Sequence, residues 1–584
     1  MKRFFRTLKH TSNYHTAYLV AILILATLFR LLWLADIPTG FYVDEASTGY
    51  DAYAILLTGK DQYGEFLPVF ARTFGAYNES LYRFITVIPV WLFGLTEFSV
   101  RLPAAIFGIL TVPAIYLLAK ELFDKNVALL AAFLMAISPW HIPFSRVGFR
   151  AILLPFFVCW GLYFFFRGRQ KPRYLLYSAT AFAIGLYTYA SARVFIPLFL
   201  LPLVFLYRND LKGKKTHLLW AAGIFALVFL FLAQYWLSPQ GIIESLDSLD
   251  TDPIQLIKTY LGYFGPVFLF VDGDTIARHG VANFGQLHHF ELVTVAVGLF
   301  WLLRERQKRT WLLLAWLILY PLPGSLTDAT HALRTIIGIP VFTLISAYGL
   351  YKLVPAYEEE QRHEVGRETA VFPAFAMRIV APGFGGTVGV ARQQKRWVVV
   401  GLTAVIILWR IIMYAHMYFV TYPIYSPQAW QYGMREAIEY SASKPYDNIY
   451  ISDSFFIPHM FVLFYNAYPP EQYQQEALLS VGEGNFRYTD VSIGNYHILS
   501  AEKMWWVERD NGLFMLFPNE SRFVASRSDC EEVHVVRRPN GSVASVLVEC
   551  HAIEARPVLR REDQSSTPLE EVGPDAAERE QFIR

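Results

Sequence analysis

The stretch LPAAIFGILTVPAIYLLAKELFDKN, residues 102–126, decides how the rest of the chain is read. Residues 102–119 carry no charge and are about as long as a helix that crosses the ~30 Å hydrocarbon core of a bilayer. Pro103, Gly108 and Pro113 do not argue against a span, because proline and glycine are more frequent in membrane helices than in soluble ones. Lys120 and Lys125 follow at once, and short basic turns of this kind mark the cytoplasmic side. Working outward, similar apolar runs lie at 18–34, 127–138, 151–166, 174–189, 194–206, 217–236, 290–303, 311–323, 336–353 and 397–418, which makes about eleven expected spans. Basic residues fall on alternate sides of these runs, at Lys2 to Lys9, Lys120/Lys125, 167–173, 212–215, 304–309 and 362–396. That alternation orients the chain, with everything after residue 418 outside.

The apolar run 84–95 contains Pro89 and would break the alternation if it crossed, so it is expected to be an interfacial helix on the outer surface. The irregular stretch 370–391 is expected to be interfacial or disordered, and the first span to remain uncleaved, since no small-residue cleavage site follows it.

Composition agrees with a membrane chain. Of 584 residues, 54% are apolar and 17% charged, against roughly 25% charged in soluble domains; mean hydropathy is +0.32. Lysine and arginine number 51 against 49 acidic residues, so there is no basic excess of the kind that nucleic-acid binding requires. Three cysteines without a Cys-x-x-Cys pair give no disulfide scaffold or zinc finger. The chain divides into a membrane module over 1–420, an extracytoplasmic α/β domain over 421–559 and a charged tail over 560–584 that reads as disordered. Within the α/β domain, residues 429–440 and 457–468 have helical periodicity and 448–451 reads as a strand. Residues 532–538 and 542–549 flank Pro539-Asn540-Gly541 as a hairpin, which would place Cys530 opposite Cys550 where a disulfide can persist.

The chemistry is expected in the outer loop 36–101. It begins Gly40-Phe41-Tyr42-Val43-Asp44-Glu45, just beyond the first span. Two adjacent carboxylates can be ordinary solvated charges. However, Tyr50, Tyr53, Tyr63, Phe66, Phe70 and Tyr77 make the loop too aromatic for a free tether, so the carboxylates should sit in a partly water-excluded setting. A carboxylate there can accept a proton from a hydroxyl. Outer cations form further sets: His141, Arg146 and Arg150 on one turn, Arg278 within Asp272–His279, and His331 with Arg334 after Asp328. Snorkelling to headgroups and loop-to-loop salt bridges are the plain alternatives. Arginine suits phosphate because it engages oxygens in pairs. The Asp/His residues have no ligand spacing that compels a metal, so no metal or cofactor is assigned.

Asp44-Glu45 after the first span, LFGLTEFSVRLP at 92–103 and Lys120-Glu121-Leu122-Phe123 together resemble the polyprenol-phosphate-dependent glycosyltransferases of the GT-C fold, family 39-like. Protein O-mannosyltransferases and bacterial aminoarabinose transferases are of this kind. The resemblance covers roughly the first 210 residues well and weakens toward 353. It implies inverting transfer of a sugar from a polyprenyl-phosphate donor to a protein, lipid or glycan hydroxyl at the outer face of the plasma membrane. Asp44 would be the general base and Glu45 its support, with His141, Arg146, Arg150, Arg278, His331 and Arg334 as donor-phosphate ligands and no metal needed for chemistry. The chain departs from the family pattern twice. Arg150 stands where many relatives are acidic, and Asn78-Glu79-Ser80 stands where aminoarabinose transferases carry a lysine.

The main rival is a lipid or sugar transporter or flippase. That reading expects repeated halves and polar residues at the bilayer midplane, whereas the polar clusters here gather on one face. A noncatalytic scaffold would leave the Asp44-Glu45 loop unexplained.

Overall fold

A computed structural model describes residues 2–74, 76–236, 252–326, 330–353, 387–480, 490–506, 512–521 and 529–551. Asp328, most of the 370–391 stretch and the tail beyond 560 lie outside the described residues. The chain forms two compact units, one of Met1–Pro38 with Pro68–Pro423 and one of Thr39–Leu67 with Ile424–Arg584. The chain is a polytopic helical membrane protein with a C-terminal sheet domain.

In the first unit, α1 (Lys2–Leu31) packs on α4 (Glu97–Leu122) and α5 (Lys125–Ile137). Helix α4 packs in turn on Leu153–Gly168, and that helix on Tyr174–Gly185. Thr96 starts α4 by accepting the Ser99 N–H at 3.2 Å, and Asp124 starts α5 by accepting those of Asn126 and Val127. The helices His289–Glu305 and Gly338–Leu353 meet backbone to backbone. A Cβ on Gly349 would lie 1.7 Å from the Thr294 carbonyl oxygen, and one on Gly298 2.1 Å from that of Ile345. A Thr294–Ser346 hydroxyl hydrogen bond of 2.6 Å closes the seam. Small residues with hydroxyl pairs are how membrane helices gain contact where lipid removes the hydrophobic driving force.

Among the described residues, seven helices are long and apolar enough to cross a membrane, including Glu97–Leu122, Ala190–Tyr207 and Lys215–Ala233. The last turns Leu219, Trp220, Leu227 and Leu230 outward, as a lipid-facing helix should. Other expected spans appear as shorter helices such as Lys125–Ile137 and Tyr174–Gly185. One of the seven, Pro253–Val271, falls where the sequence reading expected only an outer loop. Asp252 caps its start on the Ile254 N–H and Pro253 fits the first turn, while Ile254, Ile257 and Leu261 lie exposed. Lys258, Gly262, Gly265 and Pro266 interrupt the apolar pattern that would have revealed it. The run around Pro89 forms α3 (Leu81–Phe93), a short helix with Ile88, Trp91 and Leu92 exposed. Before it, β1 (Phe70–Thr73) and β2 (Ala76–Glu79) pair antiparallel.

The second unit is built on a six-stranded sheet in the order β4-β5-β3-β6-β8-β7. Its strands are β3 (Asn448–Ser452), β4 (Val491–Ile493), β5 (Tyr496–Leu499), β6 (Gly512–Leu516), β7 (Cys530–Arg537) and β8 (Val543–Cys550). Strand β3 runs parallel to β5 and β6, and the remaining pairs are antiparallel. Tyr450, Met504, Phe514, Leu516, Val546 and Val548 form a core on one face. The hairpin around Gly541 forms as expected, with Cys530 opposite Cys550 and the two sulfurs bonded, although the ladder shifts by one residue between Glu532 and His534 and back between Val536 and Arg537. Helix α2 (Val43–Thr58) belongs to this unit. The Val43 N–H donates to Gln431 Oε1 at 2.9 Å, and the Tyr50 hydroxyl to the Tyr468 carbonyl at 3.0 Å. Phe41 packs on Phe464. Gly40 has φ +109°, and a Cβ there would lie 2.5 Å from the Trp430 carbonyl oxygen, so only glycine fits.

Cys159 is buried and unpaired. Denatured, unreduced protein should therefore label with maleimide at one cysteine per chain, and at three after reduction. Mass spectrometry counts the adducts, and labelling of Cys530 or Cys550 before reduction would contradict the bridge.

Candidate active site

Helix α1 ends at Leu31, and the chain then turns through residues 32–38. Helix ends leave carbonyls without intrahelical partners, and a buried end must find donors elsewhere. Two fully buried arginines, Arg146 and Arg101, supply them here, and a third, Arg30, serves the end of α5. Arg146 donates to the carbonyls of Phe29 at 2.8 Å, Leu32 at 2.7 Å, and Trp33 and Ile37 at 3.1 Å. Arg101 reaches those of Leu34, Ala35 and Pro38. Arg30 reaches those of Ala26, Met135 and Ala136, each at 3.1 Å, and lies 2.8 Å from His141 Nδ1. Burial, then the Arg30 charge, holds the His141 pKa well below the usual range. His141 is therefore neutral and accepts from the guanidinium. Of the residues expected to bind phosphate, His141 and Arg146 thus sit inside the protein, with both Arg146 Nη groups engaged by backbone.

Arg150 lies in a second cluster. The Glu79 carboxylate, at the end of β2 and 1% exposed, accepts Arg150 Nε at 2.8 Å on one oxygen and Arg193 Nη2 on the other. Arg150 Nη2 also meets Asn78 Oδ1 at 2.6 Å. Tyr189 faces the Arg150 guanidinium, and Phe70 faces that of Arg193. Burial works to raise the Glu79 pKa, but Arg193 and Arg150 outweigh it and hold the carboxyl below its usual range. The two departures from the family pattern, at 78–80 and at 150, are therefore partners in one ion-pair cluster carrying two cations and one anion. Glu79 and Arg193 were not singled out as a pair in the sequence, since their proximity follows only from the fold.

The third cluster lies between the turn at Ala277–His279 and the segment before Gly338–Leu353. Arg278 and Arg334 are half-buried there, and His279, His331 and Asp274 stand together. The Phe144 ring lies 5.6 Å from that of His279, linking this region to the turn that carries His141, Arg146 and Arg150.

In the other unit, Asp44 is half-buried in the first turn of α2, where the helix dipole favours a carboxylate. Glu45 is fully buried, and its carboxylate accepts the Tyr42 N–H at 3.3 Å. Glu45 thus fixes the start of the helix that carries Asp44.

Replacing Glu79 by alanine leaves two guanidiniums without their anion and should cost about 3 kcal/mol. Glu79→Gln keeps an acceptor and should cost less, and adding Arg193→Gln should recover part of the loss. Unfolding temperatures in detergent micelles check the order; equal stability of wild type and Glu79→Ala would contradict it.

A family profile for dolichyl-phosphate-mannose-protein mannosyltransferases matches residues 81–236. The Bacillus subtilis (strain 168) protein YkcB, named as a candidate mannosyltransferase, is 30% identical over 149 residues, which are 25% of this chain and 21% of that protein. The chain thus matches about a fifth of that relative's length. Two crystal structures of ArnT from Cupriavidus metallidurans share its fold. The apo form superposes with a TM-score of 0.53 at 12% identity over 92% of this chain and 98% of ArnT. The form bound to undecaprenyl phosphate gives 0.54 at 13% over 94% and 100%. The apo oligosaccharyltransferase of Archaeoglobus fulgidus gives 0.50 at 14% over 77% and 63%. At these identities the likeness is one of fold. The chain carries the GT-C fold and resembles the polyprenol-phosphate-dependent glycosyltransferases.

Proposed function

We propose that this protein transfers a sugar from a polyprenyl-phosphate donor to an acceptor hydroxyl at the outer face of the plasma membrane, with inversion. The observation that carries the reading is Asp44, a half-buried carboxylate at a helix start shortly after the first membrane helix, in a chain of GT-C fold. In such a transfer the acceptor oxygen attacks the anomeric carbon from the side opposite the phosphate. Asp44 takes the hydroxyl proton as the new C–O bond forms and the bond to phosphate breaks. Glu45 acts through the helix start that it holds.

The departing polyprenyl phosphate gains negative charge, which fixed guanidiniums stabilise. Arg150, Arg278 and Arg334, none of them fully buried, are the proposed phosphate ligands. Arg146 acts at one remove, by shaping the backbone after α1, and His141 by seating Arg30, which ties α1 to the end of α5. The lipid-facing helices suit a polyprenyl chain, and the disulfide of the C-terminal domain suits an extracytoplasmic location. Protein, lipid and glycan hydroxyls are all chemically competent acceptors.

Purified protein supplied with polyprenyl-phosphate sugars and cell-envelope acceptors should consume donor. Asp44→Asn should lower turnover by about 100-fold or more, the typical contribution of a general base. No donor consumption by wild type, or normal turnover by Asp44→Asn, would sink the proposal.

A further inference from the structure

The proposed transfer leaves one buried cluster without a role. Asp274, His279 and His331 each present a ligand atom, and these atoms lie within 4.8 Å of one another. The side chains of Asp274 and His279 are 0% and 4% exposed, so this is not a scatter of surface charge. His279 Nδ1 lies 2.8 Å from Asp274 Oδ2. The other imidazole, 4.3 Å from the His279 ring between centroids, has a buried Nδ1 with no hydrogen-bond partner. A buried nitrogen without a partner is costly and calls for an explanation such as an ion.

The surroundings hold the three groups in place. The Asp274 carboxylate accepts the Ile276 N–H at 2.9 Å on one oxygen and the Ala332 N–H on the other. The His331 backbone N–H donates to the Tyr263 hydroxyl at 2.9 Å, and that hydroxyl sits against Gly324, where a Cβ would lie 2.3 Å away. Fixing ligands by such outer hydrogen bonds is characteristic of metal sites.

From this cluster we infer a divalent transition-metal site, with Asp274, His279 and His331 as ligands and zinc as the best-fitting ion. Two imidazoles and one carboxylate match the ligand set of zinc sites that keep a fourth position for water or another oxygen donor. Calcium and magnesium are poor candidates because they prefer all-oxygen shells. The ion would tie the turn at Ala277–His279 to the segment before Gly338–Leu353, two stretches that flank Arg278 and Arg334. The site is independent of the proposed transfer activity, because its test reads bound metal.

The full-length protein, purified in detergent without a histidine tag and stripped with a chelator, is dialysed against micromolar zinc, and bound metal is counted by mass spectrometry. One zinc per chain is expected, with a rise in unfolding temperature on addition and visible absorption of low-symmetry cobalt when cobalt replaces zinc. His331→Ala and Asp274→Asn should each lower zinc occupancy at least tenfold, whereas His497→Ala, in the other unit, should not. Metal-free unfolding temperatures show whether the variants fold; should His331→Ala not fold, His331→Gln takes its place. Less than a tenth of an equivalent in wild type, or full occupancy in folded Asp274→Asn and His331 variants, would overturn the assignment.

Discussion

The structure depends on how the end of α1 is satisfied. In lipid no water reaches a broken helix end, and every backbone carbonyl there needs a donor from the protein itself. Arg101 and Arg146 provide those donors from two later parts of the chain, and Arg30 reaches from α1 to the end of α5. Burying a guanidinium costs several kcal/mol. That cost is offset here because the donors meet carbonyls at a helix C-terminus, where positive charge is favoured. The turn over residues 32–38 is thereby held to α4 through Arg101 and to the turn that carries Arg146, and it is from residues 32–38 that the chain departs toward Asp44.

The Glu79 cluster applies the same rule to side chains. A carboxylate almost wholly removed from water remains ionised only beside cations, and Arg150 and Arg193 take both of its oxygens. Read one at a time, an arginine in an acidic position and a glutamate near a basic one look like losses of function. Read together they are partners in one buried ion pair.

Much of this was legible in the sequence for identifiable reasons. Uninterrupted apolar runs bounded by basic turns gave the helices, and the Asn540-Gly541 turn gave the hairpin register and with it the disulfide. Asp44 and Glu45 stood out because two carboxylates followed a span in an aromatic loop. Helix Pro253–Val271 was hidden because Lys258 and a Gly-Pro break disguise its apolar character. Strands β4 and β5 have too few residues for alternation to register, and β6 is buried along its whole length and so does not alternate. The tasks of Arg146 and His141 were beyond sequence reasoning altogether, because a backbone carbonyl leaves no mark in the sequence. The joining of Asp274 to His331 depends on a fold that brings distant loops together.

The second unit is discontinuous along the chain, with Thr39–Leu67 separated from Ile424–Arg584 by the helices of the first. During synthesis, α2 emerges early with Phe41 and Tyr50 lacking the surfaces that later cover them, Phe464 and Tyr468. Domains ordinarily fold from the N-terminus as they are made. Here the segment that carries Asp44 must wait until the last third of the chain has been delivered to the same side of the membrane. A chain truncated before the sheet therefore keeps its aspartate but never acquires the fold around it.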